Sequence, residues 1–296
     1  RLSRRRGTGA GGGAFAGRVP RHGVAGPLSP RAPFMPDAPR RLRAVARLAV
    51  PAAVPAILAG AAVAPPAAAQ TPRFVLELEA GAVWQSRNDA EIPNDGAATR
   101  FSLADVLGDG PWPAGRVYAT WNVAGRHGVR LLLAPLSVTE TGTLARPVRF
   151  AGASYGAGPV EATYRFDSYR LSYRYRFHRA ERTAAWVGFT AKVRDARIAL
   201  AQGGTASRKD DVGFVPLLHV AGDWRAARRW RLGVDVDALA GGPGRAIDAA
   251  AKLGYDPGGR WMVQGGYRTV EGGADVPEVY SFAWLHYAVA SVVWRP

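Results

Sequence analysis

Between Asp167 and Phe177 the chain reads DSYRLSYRYRF, with Arg170, Arg174 and Arg176 on one parity and Tyr169, Leu171, Tyr173, Tyr175 and Phe177 on the other. A period of two is the mark of a β-strand with chemically different faces. The pattern recurs in WVGFTAKVR, where Val187, Phe189, Ala191 and Val193 oppose Thr190, Lys192 and Arg194. In RLGVDVDA, Leu232, Val234 and Val236 oppose Arg231, Asp235 and Asp237. Ten segments carry it: Arg73–Trp84, Ala114–Val123, Gly128–Ser137, Thr163–Phe177, Ala185–Leu200, Val212–Arg225, Trp230–Gly241, Ala246–Asp256, Arg260–Glu271 and Glu278–Arg295. Short connections (AGRH, HRAERTA, AARR, PGG) alternate with longer ones, and both ends of the strand region fall on the short side. An even number of strands, each about ten residues long, with short turns at one end and loops at the other, predicts an all-β fold: a closed antiparallel transmembrane β-barrel of about ten strands, up-and-down in topology and monomeric.

The polar face distinguishes this from a soluble sandwich, whose outward face would carry many lysines. Within the strand region the only lysines are Lys192, Lys209 and Lys252. Arginine set against aspartate and glutamate suits a confined interior, because the planar guanidinium satisfies several acceptors at once. Aromatic residues sit at strand ends (Trp84, Tyr175, Phe177, Trp224, Trp230, Trp261, Trp284 and Trp294), where interfacial girdles belong.

Charge alters this picture less than its size suggests. The 296 residues carry a net +16, which invites a polyanionic partner. Residues 1–69 account for +10 of it, leaving +6 on residues 70–296, so nucleic acid is not an expected partner. There is no cysteine, hence no disulfide framework and no thiolate metal site. Residues 35–69 read as a signal peptide: basic RRLRAVAR, an apolar run Leu48–Ala64 broken by Pro51 and Pro55, then PPAAAQ, with cleavage expected after Ala69. Residues 1–34, upstream of Met35, read as a misassigned start or a disordered basic tail. Gly7, Gly9 and Gly12 match a dinucleotide fingerprint without the strand and helix that would give it meaning.

With that signal, the alternating strands, the girdles and the final strand HYAVASVVW, residues 70–296 resemble the small outer-membrane β-barrel proteins of Gram-negative bacteria. The resemblance implies export through a cleaved signal peptide, insertion by the barrel-assembly machinery, and contact with outer-membrane lipid and lipopolysaccharide. Such proteins usually end on an aromatic residue, whereas here Arg295 and Pro296 follow Trp294.

The inward parity supplies the candidate chemistry. Arg116, Arg130, Arg170, Arg174, Arg176, Lys192, Arg194, Arg231, Lys252 and Arg268 face Glu77, Glu79, Asp223, Asp235, Asp237 and Asp248, ten basic groups to six acidic. Pairing Arg225 with Arg229 sets Asp223 opposite Arg231 and His219 opposite Asp235. Pairing Asp256 with Arg260 sets Asp248 opposite Arg268, and Gly241 with Ala246 brings Lys252 beside Asp235. His219 and Asp235 form the one weak catalytic candidate, a general-base dyad with no serine or metal cluster beside it. Asn88, Asp89, Glu91, Asn94 and Asp95 offer oxygens, but their spacing departs from a calcium loop and reads as a solvated turn. Ser102 and Asp105 mark the start of a short helix, LADVLG, folded back over the mouth. GGPGRA lacks the lysine and hydroxyl of a phosphate loop and reads as a tight hairpin. The expectation is a barrel with a charge-filled lumen, structural or forming a narrow anion-preferring pore, with no cofactor and no metal. The alternatives are a barrel enzyme of the protease or lipid A hydrolase type and a soluble periplasmic β-barrel binding protein.

Overall fold

The computed structural model describes residues 72–296 apart from Pro243, so the tail, signal and cleavage readings for residues 1–69 fall outside the described residues. The strands are β1 (Phe74–Glu91), β2 (Phe101–Ser102), β3 (Trp112–Ala124), β4 (His127–Ala134), β5 (Ser137–Leu144), β6 (Val148–Phe150), β7 (Ala153–Tyr155), β8 (Gly158–Arg179), β9 (Thr183–Gln202), β10 (Thr205–Arg225), β11 (Trp230–Gly241), β12 (Gly244–Tyr255), β13 (Trp261–Val276) and β14 (Val279–Trp294), with one helix, α1 (Leu103–Leu107). Each of the ten predicted segments falls on a stave of one antiparallel sheet, and β14 pairs with β1 to close it. The third stave is shared: β4 ends before Pro135, and β5 carries the pairing with β8 onward.

Closure turns the usual arrangement of a folded protein inside out. Phe189, Phe214, Leu171 and Leu218 are more than half exposed on the outer wall, while Arg116, Arg170, Lys192, Asp237, Asp248 and Arg268 are buried inside. Tyr169, Tyr173 and Phe177 point outward from the opening stretch, and Arg170 points in. A soluble chain does not leave so continuous an apolar face in water; a chain bounded by lipid must. At the turn end Phe74 stacks on Trp121 (ring centroids 6.1 Å apart), Trp230 meets Tyr255 at 5.3 Å and Trp261 meets Trp294 at 6.2 Å. At the loop end Trp84, Tyr267 and His286 form the matching girdle. The ten residue steps from Phe74 to Trp84 on β1 rise about 25 Å at the usual strand tilt, the height of a bilayer's apolar band.

Three hairpin registers differ from the sequence expectation. Arg225 pairs with Arg231, Tyr255 with Val263 and Gly241 with Gly244. Each is a shift of two positions, which keeps every side chain on its face and changes only its neighbours. The causes are local. Ala227 and Trp230 pair around a tight turn, the Asp256 carboxylate accepts from Gly258 N in a wider loop with positive φ at Gly258 and Gly259, and Gly242 at φ 42° allows a two-residue hairpin. His219 therefore faces Asp237 rather than Asp235, Asp248 faces Val270 rather than Arg268, and Lys252 faces Gly233.

Two segments expected as loops are structured. β8, β9 and β10 continue past the apolar band, with the half-buried pair Arg165–Asp195 (2.5 Å) and the exposed pair Arg208–Asp210 (3.0 Å) on their outer side. The segment after β4 supplies β5 and the β6–β7 hairpin. At the opposite end Arg295 donates both terminal nitrogens to Asp256 (3.0 and 2.9 Å). Arg295 thereby holds the Asp256 carboxyl below the usual carboxylate range.

Three outcomes test this fold. An unheated sample should migrate differently from a boiled one in SDS gels, because a closed ring has no edge at which to begin opening. Val234→Arg, on the outer wall, should cost about 2–4 kcal/mol in denaturant titrations at mid-bilayer depth. A depressed carboxyl stabilises the fold above its ordinary pKa and loses that contribution as pH falls through the lowered value, so Arg295→Ala should narrow the difference in stability between neutral and acidic pH.

Candidate functional site

The barrel interior has two tiers. In the half nearer the turns, Asp248 of β12 accepts from Arg116 of β3 (3.0 Å), Arg170 of β8 (2.6 Å) and Arg268 of β13 (2.5 Å). Arg268 also donates to Glu79 (3.2 Å) and to the Tyr118 hydroxyl (2.7 Å). Arg170 reaches Asp237 at 2.9 Å and Ser168 at 2.9 Å. Asp235 is held bidentately by Arg130 of β4 (2.6 and 2.9 Å), across the lumen from its own strand. Lys252 pairs with Glu77 (2.5 Å) and touches Glu79. Every carboxylate at this level carries a cation because an isolated buried charge costs far more than a pair.

Five members of the sequence-predicted set lie away from this knot. Arg231 and Asp223 form their own pair (2.7 Å), Arg194 pairs with Asp211, and Arg176 donates to Gly125 O (2.7 Å) near the rim. The Lys192 ammonium lies over the Phe166 ring at 4.8 Å.

His219, Asp235 and Asp237 bring their ligand-type atoms within 4.8 Å of one another, a spacing that invites a metal or a base. The bonds argue against both. Arg174 Nε donates to His219 Nε2 (3.1 Å), and arginine has no acceptor to offer in return, so the ring proton sits on Nδ1 and is donated to Asp237 (2.8 Å). Asp237 also accepts from Thr190 (2.8 Å), which is bonded to Ser172 (2.7 Å). No imidazole lone pair remains for a proton or a metal, and Arg130, Arg170 and Arg174 surround the place a cation would occupy. The histidine is a structural link in the knot.

The half nearer the loops is apolar. Val83, Leu103, Val106, Leu107, Phe101, Phe150, Leu200 and Leu285 form one buried cluster. Helix α1 supplies its centre, starting as the sequence predicts with Ser102 Oγ accepting from Asp105 N (3.2 Å). It lies inside the barrel against β5 at Gly142, where any side chain would collide with Val106 O. Gln85 on the inner wall donates to Gly108 O (2.7 Å), and Asn88 donates to Gln85 (3.0 Å), fixing the end of the helix. The lumen is thus filled by charge over half its length and by this plug over the other half, a correction to the expectation of charge alone. Where the tiers meet, beside Arg116, Ser168, Arg170, Phe166 and Tyr287, a cavity of ≈ 10 Å³ remains, room for one water at most.

The first loop's oxygens are dispersed rather than convergent. Asp89 pairs with Arg87 and Glu91 with Arg100, while Asn94 donates to Asp275. Another polar group lies on the outer wall at the loop-end girdle. Ser86 Oγ is 2.8 Å from His286 Nε2, and Tyr267 Oη is 2.6 Å from His286 Nδ1. Sequence reading passed over these three because 200 positions separate Ser86 from His286 and no local motif joins them; their shared outward parity on three strands was the available signal.

Solved structures similar to this chain include outer-membrane barrels. The outer membrane protease OmpT from Escherichia coli is 11% identical, with 75% of this chain and 96% of that one covered at a TM-score of 0.43. Neisserial surface protein A is 11% identical over 75% and 97% at 0.34, and the outer membrane protein AlkL is 14% identical over 80% and 97% at 0.36. Likenesses of this size carry no functional conclusion, and the barrel assignment rests on the closed strand pairing itself. No family model and no curated protein matches the chain.

Asp248 is the sharpest probe of the interior. Asp248→Asn leaves three buried guanidinium groups short of a charge and should cost about 3–5 kcal/mol in urea titrations of the folded barrel. Asp210→Asn, in an exposed pair, should leave the urea midpoint nearly unchanged.

Proposed function

We propose that the chain is a sealed outer-membrane barrel, structural or acting at its surface rather than conducting through its lumen. The observation that carries this is the interior: a charged knot stacked on an apolar plug, with a cavity of ≈ 10 Å³ where they meet. Ten staves enclose little more space than eight-stranded barrels, which side chains already fill. The apolar outer wall and two girdles support lodging in a bilayer and disfavour the soluble periplasmic alternative. Exposed loop-end arginines, including Arg100, Arg146 and Arg149, suit contact with lipopolysaccharide phosphates.

Purified protein in a planar bilayer should give no steady conductance. Rare small openings, if they occur, should favour anions, because the inward set is richer in basic groups, and Asp235→Ala should strengthen that preference by releasing Arg130. A large steady conductance, or a preference for cations, would overturn the sealed reading. Extraction only with detergent is the expected fractionation result; full solubility in buffer would return the soluble alternative.

A further inference from the structure

The outer-wall group of Ser86, His286 and Tyr267 comes from three adjacent strands, β1, β14 and β13. Its order is that of an activated nucleophile: hydroxyl, imidazole, then a third group fixing the ring. With the ring proton on Nδ1, His286 donates to Tyr267 Oη (2.6 Å), leaving Nε2 to accept from Ser86 Oγ (2.8 Å). Unlike His219, whose Nε2 is occupied by an arginine, His286 has its lone pair directed at a hydroxyl. Ser86 is exposed and is the extra residue of a β-bulge, since Gln85 pairs with Leu285 and Arg87 with Trp284. Bulges re-aim side chains and recur beside active sites. Trp84 stacks on the imidazole at 5.9 Å and Trp284 flanks it at 5.4 Å.

Depth selects the substrate. Ser86 lies just past Trp84, where the apolar band of about 25 Å gives way to the interface. That is the level at which acyl esters of a lipid leaflet present their carbonyls. Water reaches this level from the loop side, and apolar wall runs below it for the acyl chain.

We propose that this group is an esterase site for acyl chains of membrane lipids. Ser86 Oγ attacks the ester carbonyl and passes its proton to His286 Nε2. Collapse of the tetrahedral intermediate breaks the acyl–oxygen bond, and His286 returns the proton to the departing lipid alkoxide. Water, deprotonated by His286, then cleaves the acyl–serine ester, releasing a fatty acid and restoring the Ser86 hydroxyl. Tyr267 touches no reacting atom and is a positioning residue.

The inference rests on the bilayer reading, and the test separates the two. The full barrel is reconstituted into phosphatidylglycerol vesicles and, in parallel, into vesicles containing lipopolysaccharide; insertion is checked by flotation and by the heat-dependent gel shift. Released fatty acid is measured by mass spectrometry, and Ser86 is probed with a fluorophosphonate. Fatty acid should appear in at least one arm, the arm identifying glycerophospholipid or lipopolysaccharide as the ester source, and the probe should map to Ser86. Ser86→Ala should abolish labelling and lower release by at least about 100-fold while the gel shift persists. Tyr267→Phe should reduce kcat more than KM and displace the pH profile of labelling. Failure to insert overturns both proposals; insertion with neither release nor labelling, or unchanged release from Ser86→Ala, overturns this one alone.

Discussion

The ladder from Leu76–Trp294 to Glu91–Tyr280 turns a sheet into a ring, and in hydrocarbon that closure dictates what every other residue must do. An open edge would leave a row of N–H and C=O groups with neither water nor protein to bond, at several kcal/mol each. Once the edges meet, only side chains remain to be accommodated, and the alternation of β-strands divides them into two populations. The outward half meets lipid and becomes apolar. The inward half is enclosed by ten staves too closely spaced to leave an open channel.

Enclosure makes the interior charges interdependent. Asp248 ties β12 to β3, β8 and β13, while Asp235 on β11 is reached by Arg130 from β4. These bonds cross the lumen, so they brace opposite walls. A buried ion pair is weak evidence of net stability, since desolvation consumes much of the attraction. Its effect on uniqueness is more direct: a hairpin slipped by two residues would keep its faces yet separate Asp248 from its three arginines. Backbone pairing alone permits that slip, and the charged knot resists it. The plug performs a different task, filling space that charges alone could not fill without many more partners.

That division also explains which features were legible in the sequence. Strand positions and faces were readable because parity is local: the Arg170–Leu171 alternation needs no knowledge of neighbours. The N-cap at Ser102 was readable because Asp105 lies within one helical turn. Registers were not, since they depend on turn conformations such as the positive φ of Gly242, which composition underdetermines. Of Asp248's three arginines, Arg268 was the one hairpin pairing brought near; Arg116 and Arg170 are 132 and 78 residues away along the chain and converge only through closure. The inner apolar plug was hidden for another reason. Where β1 carries both Val83 inside and Trp84 outside, both parities are hydrophobic and alternation is silent.

The bulge at Ser86 links the interior to the outer wall. In an unbroken strand Gln85 and Asn88 would face opposite ways; the inserted residue lets both point inward, where Asn88 bonds Gln85 and Gln85 bonds the end of α1. The same insertion leaves Ser86 outside, against His286. One backbone irregularity therefore anchors the plug on one face and presents a hydroxyl on the other. A strand that merely crossed the membrane would need neither, and bulges weaken the ladder they interrupt. Because the interior is packed, Gln85 is held by the helix it secures, and that rigidity passes through a single peptide unit to Ser86. A filled lumen is in this respect an asset: it supplies a fixed support behind the polar group on the outer wall.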